Sequence, residues 1–194
     1  MSKDSDRTAR TGGADVARLR DAAERVVLVD DTGRDIGSAG KLDAHANGGL
    51  LHLGFSILIF NGAGELLLQR RASAKYHFAG FWSNSCCGHP RPGEAIADAA
   101  ARRLAEELGF SVALRAIDRL QYRAHDDVSG LTEHELLSVF VGAFDGQPQP
   151  APAEVGDWRW VDRATLYSEV VAHPQRFTPW FRVLLQQPSV TDAW

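Results

Sequence analysis

One stretch of the sequence, residues 84–110, concentrates groups that can do chemistry: two adjacent cysteines, a histidine and paired carboxylates. It reads NSCCGHPRPGEAIADAAARRLAEELGF. Its Gly- and Pro-rich beginning predicts a turn that holds the cysteines and the histidine. The apolar spacing of its second half predicts a helix from about residue 94 to residue 108, with Gly109 as its stop. A thiol, an imidazole and carboxylates at one loop–helix junction are groups that metal-assisted proton chemistry uses.

Further candidate metal ligands lie outside this stretch. Glu133 and Glu135 are two residues apart at a predicted strand start, so their side chains share one face. Imidazole together with carboxylate suits divalent ions such as Zn²⁺, Mn²⁺ or Mg²⁺. A solitary histidine is more often a surface or hydrogen-bonded residue, but these histidines flank Gly-rich segments. The candidate ligands are His45, His52, His89, Glu133 and Glu135.

The hydrophobic pattern predicts the elements that must position these groups. Residues 51–71 read as a β-hairpin around a turn at residues 61–64, and a polar loop at residues 125–134 separates two later strands. The order of strands, helix, strands and helices predicts a mixed sheet with helices packed on it, in the α/β or α+β class. The other predicted strands are residues 26–31, 120–124, 135–144 and 158–161, and the other helices are residues 166–171 and 180–187.

Composition limits the class of protein. The 194 residues carry a net charge of −4, which argues against a general nucleic-acid binder. The two cysteines are neighbours, so no disulfide framework is indicated and a reducing, cytoplasmic compartment is expected. No apolar run approaches the roughly 20 residues that span a bilayer, so membrane insertion is not expected. We predict a single domain over residues 25–194, a flexible tail over residues 1–24, and a monomer.

The predicted helix and the turn before it resemble the Nudix signature, a loop–helix–loop that holds Mg²⁺ against a diphosphate. Gly88 is followed after five residues by Glu94 and after seven more by Arg102, and residues 104–110 read LAEELGF. One position departs from the signature, because Arg103 stands where a glutamate is usual. A guanidinium in place of a carboxylate exchanges a metal ligand for a phosphate binder. The departure favours a site that binds a diphosphate without hydrolysing it.

The run NSCCGHP at residues 84–90 resembles the active-site run of type 1 isopentenyl-diphosphate isomerases, a non-hydrolytic Nudix branch. The resemblance continues through most of the chain after about residue 25. It implies a Nudix-like mixed β-sheet sandwiched by helices, with N-terminal and C-terminal additions. It also implies that the protein interconverts isopentenyl diphosphate and dimethylallyl diphosphate in isoprenoid biosynthesis, through a tertiary carbocation. The other segments that carry it are His45 with His52, Arg70-Arg71 with Lys75, YRA at 122–124, Glu133-x-Glu135, and FTPW at 177–180.

The same resemblance implies the roles of the site residues. Cys87 and Glu135 would be the acid/base pair on opposite faces of the substrate, with Tyr122 assisting Glu135. One metal ion, Mn²⁺, Zn²⁺ or Mg²⁺, would be held by His45, His52, His89, Glu133 and Glu135. Glu107 would hold a Mg²⁺ that arrives with the diphosphate. The diphosphate would be bound by Lys41, Arg71, Lys75 and Arg103, and the carbocation would face Trp180 and Trp82.

Individual residues have simpler explanations: each of the four cations could be ordinary surface charge, and Trp82 is equally well explained by core packing. Two alternative functions also have their own consequences. An ordinary Nudix pyrophosphohydrolase would release phosphate and have no use for Cys87. A metal- or isoprenoid-binding module without catalysis would leave the substrate unchanged.

Overall fold

The computed structural model describes residues 23–75 and 77–194, so the predicted tail over residues 1–24 lies almost wholly outside the described residues. The strands are β1 (Arg25–Val29), β2 (Asp35–Gly40), β3 (His52–Phe60), β4 (Leu66–Arg71), β5 (Trp82–Ser83), β6 (Cys86–Gly88), β7 (Arg115–Asp126), β8 (Leu131–Ala143) and β9 (Val155–Val161). The helices are α1 (Lys41–His45), α2 (Ile96–Leu108), α3 (Arg163–Ala172), α4 (Pro179–Leu184) and α5 (Pro188–Thr191), with a 3₁₀ turn at Pro174–Arg176.

Strand β3 is the centre of a mixed sheet that contains all nine described strands. It runs parallel to β8 along its whole length and antiparallel to the short β6. Strands β7 and β8 form a long antiparallel hairpin, while β4 pairs with β5 and β9. The apolar, β-branched sequence of β3, HLGFSILIF, is typical of a strand covered on both faces.

Alternation along β3 divides the core between the two faces of the sheet. Phe55, Ile57 and Ile59 pack against α2, whereas Leu58 belongs to the apolar cluster that contains Trp180 of α4. The mixed α+β class predicted from the sequence is therefore confirmed. Within the described residues, no helix has the length and apolar character needed to cross a membrane.

Helix α2 begins at Ile96, two residues later than predicted, and ends as predicted. Glu94 stays outside the helix because its carboxylate accepts hydrogen bonds from the Arg91 N–H and the Arg102 guanidinium. Gly109 closes the helix with φ +76°, the left-handed conformation that glycine adopts without strain.

Two loop predictions were wrong. The predicted turn around the cysteines is strand β6, because Cys86–Gly88 pairs with β3 and the sheet ladder outweighs the local turn preference of its Gly- and Pro-rich surroundings. The predicted loop at residues 125–134 is mostly strand, because the β7–β8 ladder continues to the Asp126–Leu131 pair. Strand β2 and helix α1 were not predicted.

Candidate active site

Sheet register separates the two cysteines. Cys87 lies opposite Ser56 of β3, and its side chain lines a cavity on that face. Cys86 points to the other face, where it is fully buried against α2. Successive residues of a strand point to opposite faces, so Cys87, rather than Cys86, is presented to a small molecule in the cavity.

Cys87 is held as a neutral thiol. Its Sγ donates a hydrogen bond to Asn84 Oδ1 at 3.1 Å and lies 3.5 Å from Ser56 Oγ. Burial raises the pKa of Cys87 to about 11. The group therefore carries a proton at neutral pH and can donate it.

Glu135 lies at the junction of three strands. Because Tyr122 is its cross-strand partner, the Tyr122 hydroxyl donates a hydrogen bond to Glu135 Oε2 at 2.7 Å, while Oε1 lies 2.7 Å from His89 Nε2. Burial and the nearby Glu133 carboxylate raise the pKa of Glu135 to about 7. A carboxyl group with this pKa can exchange a proton at neutral pH.

Gly54 makes room for the Glu135 carboxyl group. A Cβ at this position would lie 2.5 Å from Cδ of Glu135 and 2.6 Å from its Oε2. The carboxyl group therefore lies directly over the backbone of β3, in space that any other residue would fill. Gly54 stands between His52, which belongs to the histidine cluster, and Ser56, which lines the cavity.

The histidines and Glu133 bring their donor atoms together. One ligand atom from each of His45, His52, His89 and Glu133 lies within 4.8 Å of the others. His45 Nδ1 donates to the Lys41 carbonyl at 2.6 Å, and His52 Nδ1 donates to the Leu50 carbonyl at 2.8 Å. In the neutral rings, both Nε2 atoms then direct an electron pair into the cluster, as metal-ligating imidazoles do.

This arrangement fits a divalent cation. His45 Nε2 lies 2.9 Å from Glu133 Oε2, and His52 Nε2 lies 3.2 Å from His89 Nε2. Burial alone would lower the pKa of His45, but the Glu133 carboxylate raises it to about 8. Two buried imidazoles, the half-buried His89 imidazole and the Glu133 carboxylate, with Glu135 Oε1 2.7 Å from His89, suit Zn²⁺ and Mn²⁺ and also accept Mg²⁺.

A second group of charges surrounds Glu107 of α2. The buried Glu107 carboxylate accepts hydrogen bonds from Gln69 at 3.0 Å and from Arg103 at 2.5 Å. Arg103 also lies 3.4 Å from Glu154, which pairs with Lys75 at 2.6 Å. Burial would raise the pKa of Glu154, but Lys75 and Arg103 hold it at about 2. Each of these cations already faces a carboxylate.

The remaining predicted cations are also partnered. Lys41 pairs with Glu24 at 2.8 Å. Arg71 donates to the His77 carbonyl at 3.1 Å, and its guanidinium carbon lies 5.4 Å from the centre of the Trp180 ring. The Trp180 indole is oriented by a 3.0 Å hydrogen bond from Nε1 to Ser83 Oγ.

One cavity of about 480 Å³ joins the two groups. Among the described residues that line it are Cys87, Tyr122, Glu135, Trp180 and the four predicted diphosphate-binding cations. Trp82 is not one of them: its ring packs between the guanidinium groups of Arg70 and Arg159. The structure therefore brings Trp180, and not Trp82, to the cavity.

Comparison with known proteins identifies the family. Residues 50–181 match the NUDIX domain. An isopentenyl-diphosphate Delta-isomerase of Halorhodospira halophila is 49% identical over 170 residues, covering 87% of this chain and 97% of the relative. An isopentenyl-diphosphate Delta-isomerase of Burkholderia multivorans is 51% identical over 167 residues, covering 86% of this chain and 94% of the relative. The chain belongs to the isopentenyl-diphosphate Delta-isomerases of the NUDIX family.

A solved structure agrees with this fold. The Deinococcus radiodurans protein DR0079 has a TM-score of 0.64 at 20% identity, over 77% of this chain and 90% of that protein.

Ion pairs connect the residues of the Nudix helix α2 with one another and with the loop before it. The Arg102 guanidinium binds both oxygens of Glu94, at 2.7 and 2.8 Å. Next to it, Arg103 binds Glu106, Glu107 and Glu154, so the departure from the signature joins three carboxylates.

Sequence reasoning missed several residues of the site. Gln69, Glu154 and His77 line the cavity, and each contacts a predicted site residue. No spacing connects them with a motif, although His77 is only two residues from Lys75. A polar residue inside the apolar run of β4 was the one available signal for Gln69, which is buried.

Proposed function

We propose that the protein interconverts isopentenyl diphosphate and dimethylallyl diphosphate. One group protonates the terminal methylene carbon of the alkene, which leaves a tertiary cation. A second group then removes a proton from the chain methylene bonded directly to the cationic carbon, and the new double bond forms between these two carbons. The observation that carries this proposal is a single cavity lined by a neutral thiol, a carboxyl group and four cations. The names of the relatives support the substrate.

Cys87 and Glu135 are the proposed acid/base pair. In the metal-free protein their environments set their pKa values apart, at about 11 for Cys87 and about 7 for Glu135. Tyr122 keeps the Glu135 carboxyl group oriented through its 2.7 Å hydrogen bond. Neither step consumes water, and the burial of Tyr122 and Glu135 limits the hydration that would divert the cation.

Two metal ions are part of the proposal. His45, His52, His89, Glu133 and Glu135 would hold one divalent ion, and Glu107 would hold a Mg²⁺ together with the diphosphate. A bound cation supplies positive charge that changes the proton affinity of the groups around it. Glu135 would then be both a ligand and a proton-transfer group.

The substrate is proposed to lie along the cavity. Its diphosphate would contact Lys41, Arg71, Lys75 and Arg103, for which charge-assisted hydrogen bonds to phosphate oxygens are the strongest kind available. The isoprenoid part would then face Cys87 and Glu135. Trp180 presents an aromatic ring to the same space, and a cation over a desolvated indole is stabilised by about 2 kcal/mol.

The test is to incubate the purified protein with Mg²⁺ and isopentenyl diphosphate and to follow carbon products and free phosphate together. We expect dimethylallyl diphosphate to accumulate to an equilibrium mixture, with no phosphate released. Release of inorganic phosphate would identify a pyrophosphohydrolase instead. Tight binding with an unchanged substrate would identify a non-catalytic binding module.

A further inference from the structure

His77 lies in the segment between β4 and β5 and is buried, with 6% of its surface exposed. Its Nε2 hydrogen-bonds Glu133 Oε1. Since a carboxylate oxygen can only accept, the His77 ring donates this bond. His77 is not among the residues assigned to the proposed metal centre or to the diphosphate site.

The two oxygens of Glu133 have different neighbours. Oε2 lies 2.9 Å from His45 Nε2, inside the cluster of ligand atoms, whereas Oε1 is bound by His77. The ligand atoms that lie within 4.8 Å of one another come from His45, His52, His89 and Glu133. His77 therefore binds the Glu133 oxygen that is not paired with His45, and its ring centre lies 5.8 Å from that of His45.

We propose that His77 is a positioning residue of the metal centre, which orients Glu133 so that its Oε2 faces the ion. The inference rests on the proposed metal site and adds a residue to it. Partners behind metal ligands fix the ligand orientation, and their loss typically costs 10- to 100-fold in metal affinity. An unsupported Glu133 side chain would need to be ordered by the metal itself.

The segment around His77 is held from both sides. Arg71 donates to the His77 carbonyl at 3.1 Å, and the Phe78 N–H donates to the buried Asp126 carboxylate at 3.2 Å. Phe78 has φ +47°, a left-handed conformation that a bulky residue keeps only when its surroundings impose it. The imidazole is thus delivered to Glu133 by a fixed backbone.

The test measures metal affinity directly. Metal-stripped wild-type protein and variants are titrated with Zn²⁺ against a chromophoric chelator at constant pH. We expect His77→Leu, which removes the donor, to weaken Zn²⁺ binding by about 10- to 100-fold. His77→Gln places an amide N–H near the position of Nε2, and we expect it to remain within a few-fold of wild type.

Two further variants make the comparison specific. His125→Leu makes the same substitution at a histidine outside the cluster, and we expect no change in Zn²⁺ affinity. His77→Asn keeps a polar side chain that is too short to reach Glu133, and it serves as the second variant without the bond if the Leu variant does not fold. Circular dichroism of the metal-free proteins shows which variants are folded.

Each outcome decides the question. Zn²⁺ affinity unchanged in His77→Leu or His77→Asn would show that His77 only packs. Binding lost as completely as in His45→Ala, with no recovery in His77→Gln, would make His77 a direct ligand and overturn the positioning role. A wild-type protein that binds no Zn²⁺, Mn²⁺ or Mg²⁺ at this site would remove the proposed metal centre as well as the inference.

Discussion

Two groups of residues around the cavity are built differently. In the first, which we call the proton end, most side chains stand on adjacent strands of fixed register, while His89 directly follows β6 and His45 is the last residue of α1: Cys87, Tyr122, Glu135 and the His45, His52, His89 and Glu133 cluster. In the second, the diphosphate end, cations come from a short helix, a strand, a loop and a long helix: Lys41, Arg71, Lys75 and Arg103, around Glu107.

Their electrostatics differ in the same way. The proton end is organised by backbone carbonyls and by a glycine that leaves room for a carboxyl group. The diphosphate end is organised by ion pairs, in which Glu24 and Glu154 occupy cations that a diphosphate would need. On the proposed function, the proton end is preformed, whereas the cations of the diphosphate end would exchange carboxylate partners for phosphate oxygens. We therefore expect changes at the proton end to lower kcat and changes at the diphosphate end to alter KM.

The largest effect is expected for Cys87→Ala. Removing a proton-transfer group typically costs about 10²- to 10⁴-fold in rate, and kcat should fall by this factor while metal content stays the same. Steady-state kinetics and metal analysis of the purified variant measure both.

Cys86→Ala is the matched control, because Cys86 faces α2 on the opposite side of the sheet. It should keep most of the activity and lose some thermal stability. A variant pair in which Cys86→Ala is the inactive one would contradict the assignment of the two faces.

The next effect is expected for Gly54→Ala. The new Cβ would lie 2.5 Å from the Glu135 carboxyl carbon and must displace it. Since a misplacement of about 1 Å can cost roughly 10²-fold in rate, kcat should fall by about that factor in a folded protein.

Gly156→Ala is the control, because there the nearest heavy atom is 3.5 Å away, in ordinary contact. Its activity and melting temperature should stay near wild type. If Gly54→Ala were as active as Gly156→Ala, the proton end would not depend on its close packing.

The contrast between the ends also explains what sequence reasoning could reach. Glu133 and Glu135 were placed on one face because strand periodicity is local and needs no knowledge of the fold. The same locality placed Arg103 beside Glu107 on one helix. Glu154 pairs with Lys75, which lies 79 residues earlier in the sequence. No local sequence pattern can predict a contact between residues so far apart.

The wrong prediction at the cysteines has a related cause. Gly and Pro around Cys87 favour a turn locally, but pairing with β3 makes the segment a strand. The sequence nevertheless predicted a proton-transfer role for Cys87, from the resemblance carried by the run NSCCGHP at residues 84–90. What could not be derived is which face each cysteine occupies, because that depends on the pairing register.

At the diphosphate end, Arg103→Glu restores the usual Nudix carboxylate and should raise KM. The substitution removes a charge-assisted contact, worth about 1.5–3 kcal/mol, and places a new anion beside Glu107 and Glu154. We expect KM to rise at least about tenfold, with a smaller change in kcat.

Arg115→Glu, on the exposed start of β7, is the charge-matched control and should leave KM unchanged. Kinetics over a range of isopentenyl diphosphate concentrations separate the two parameters. A collapse of kcat at constant KM would mean that Arg103 acts on the proton steps, and the division between the two ends would fail.

The smallest effect, and the one with the opposite sign, is expected for Glu154→Gln. The amide oxygen can still accept a hydrogen bond from Lys75, but the negative charge that competes with the diphosphate is gone. Lys75 and Arg103 then meet the diphosphate without a competing carboxylate, so KM should fall a few-fold with kcat little changed. Glu169→Gln, which breaks a pair with Arg159 outside the cavity, should change neither parameter. A higher KM in Glu154→Gln would mean that the carboxylate holds Lys75 and Arg103 in their binding positions. Both ends of the cavity would then be preformed, and the exchange of partners proposed for the diphosphate end would be wrong.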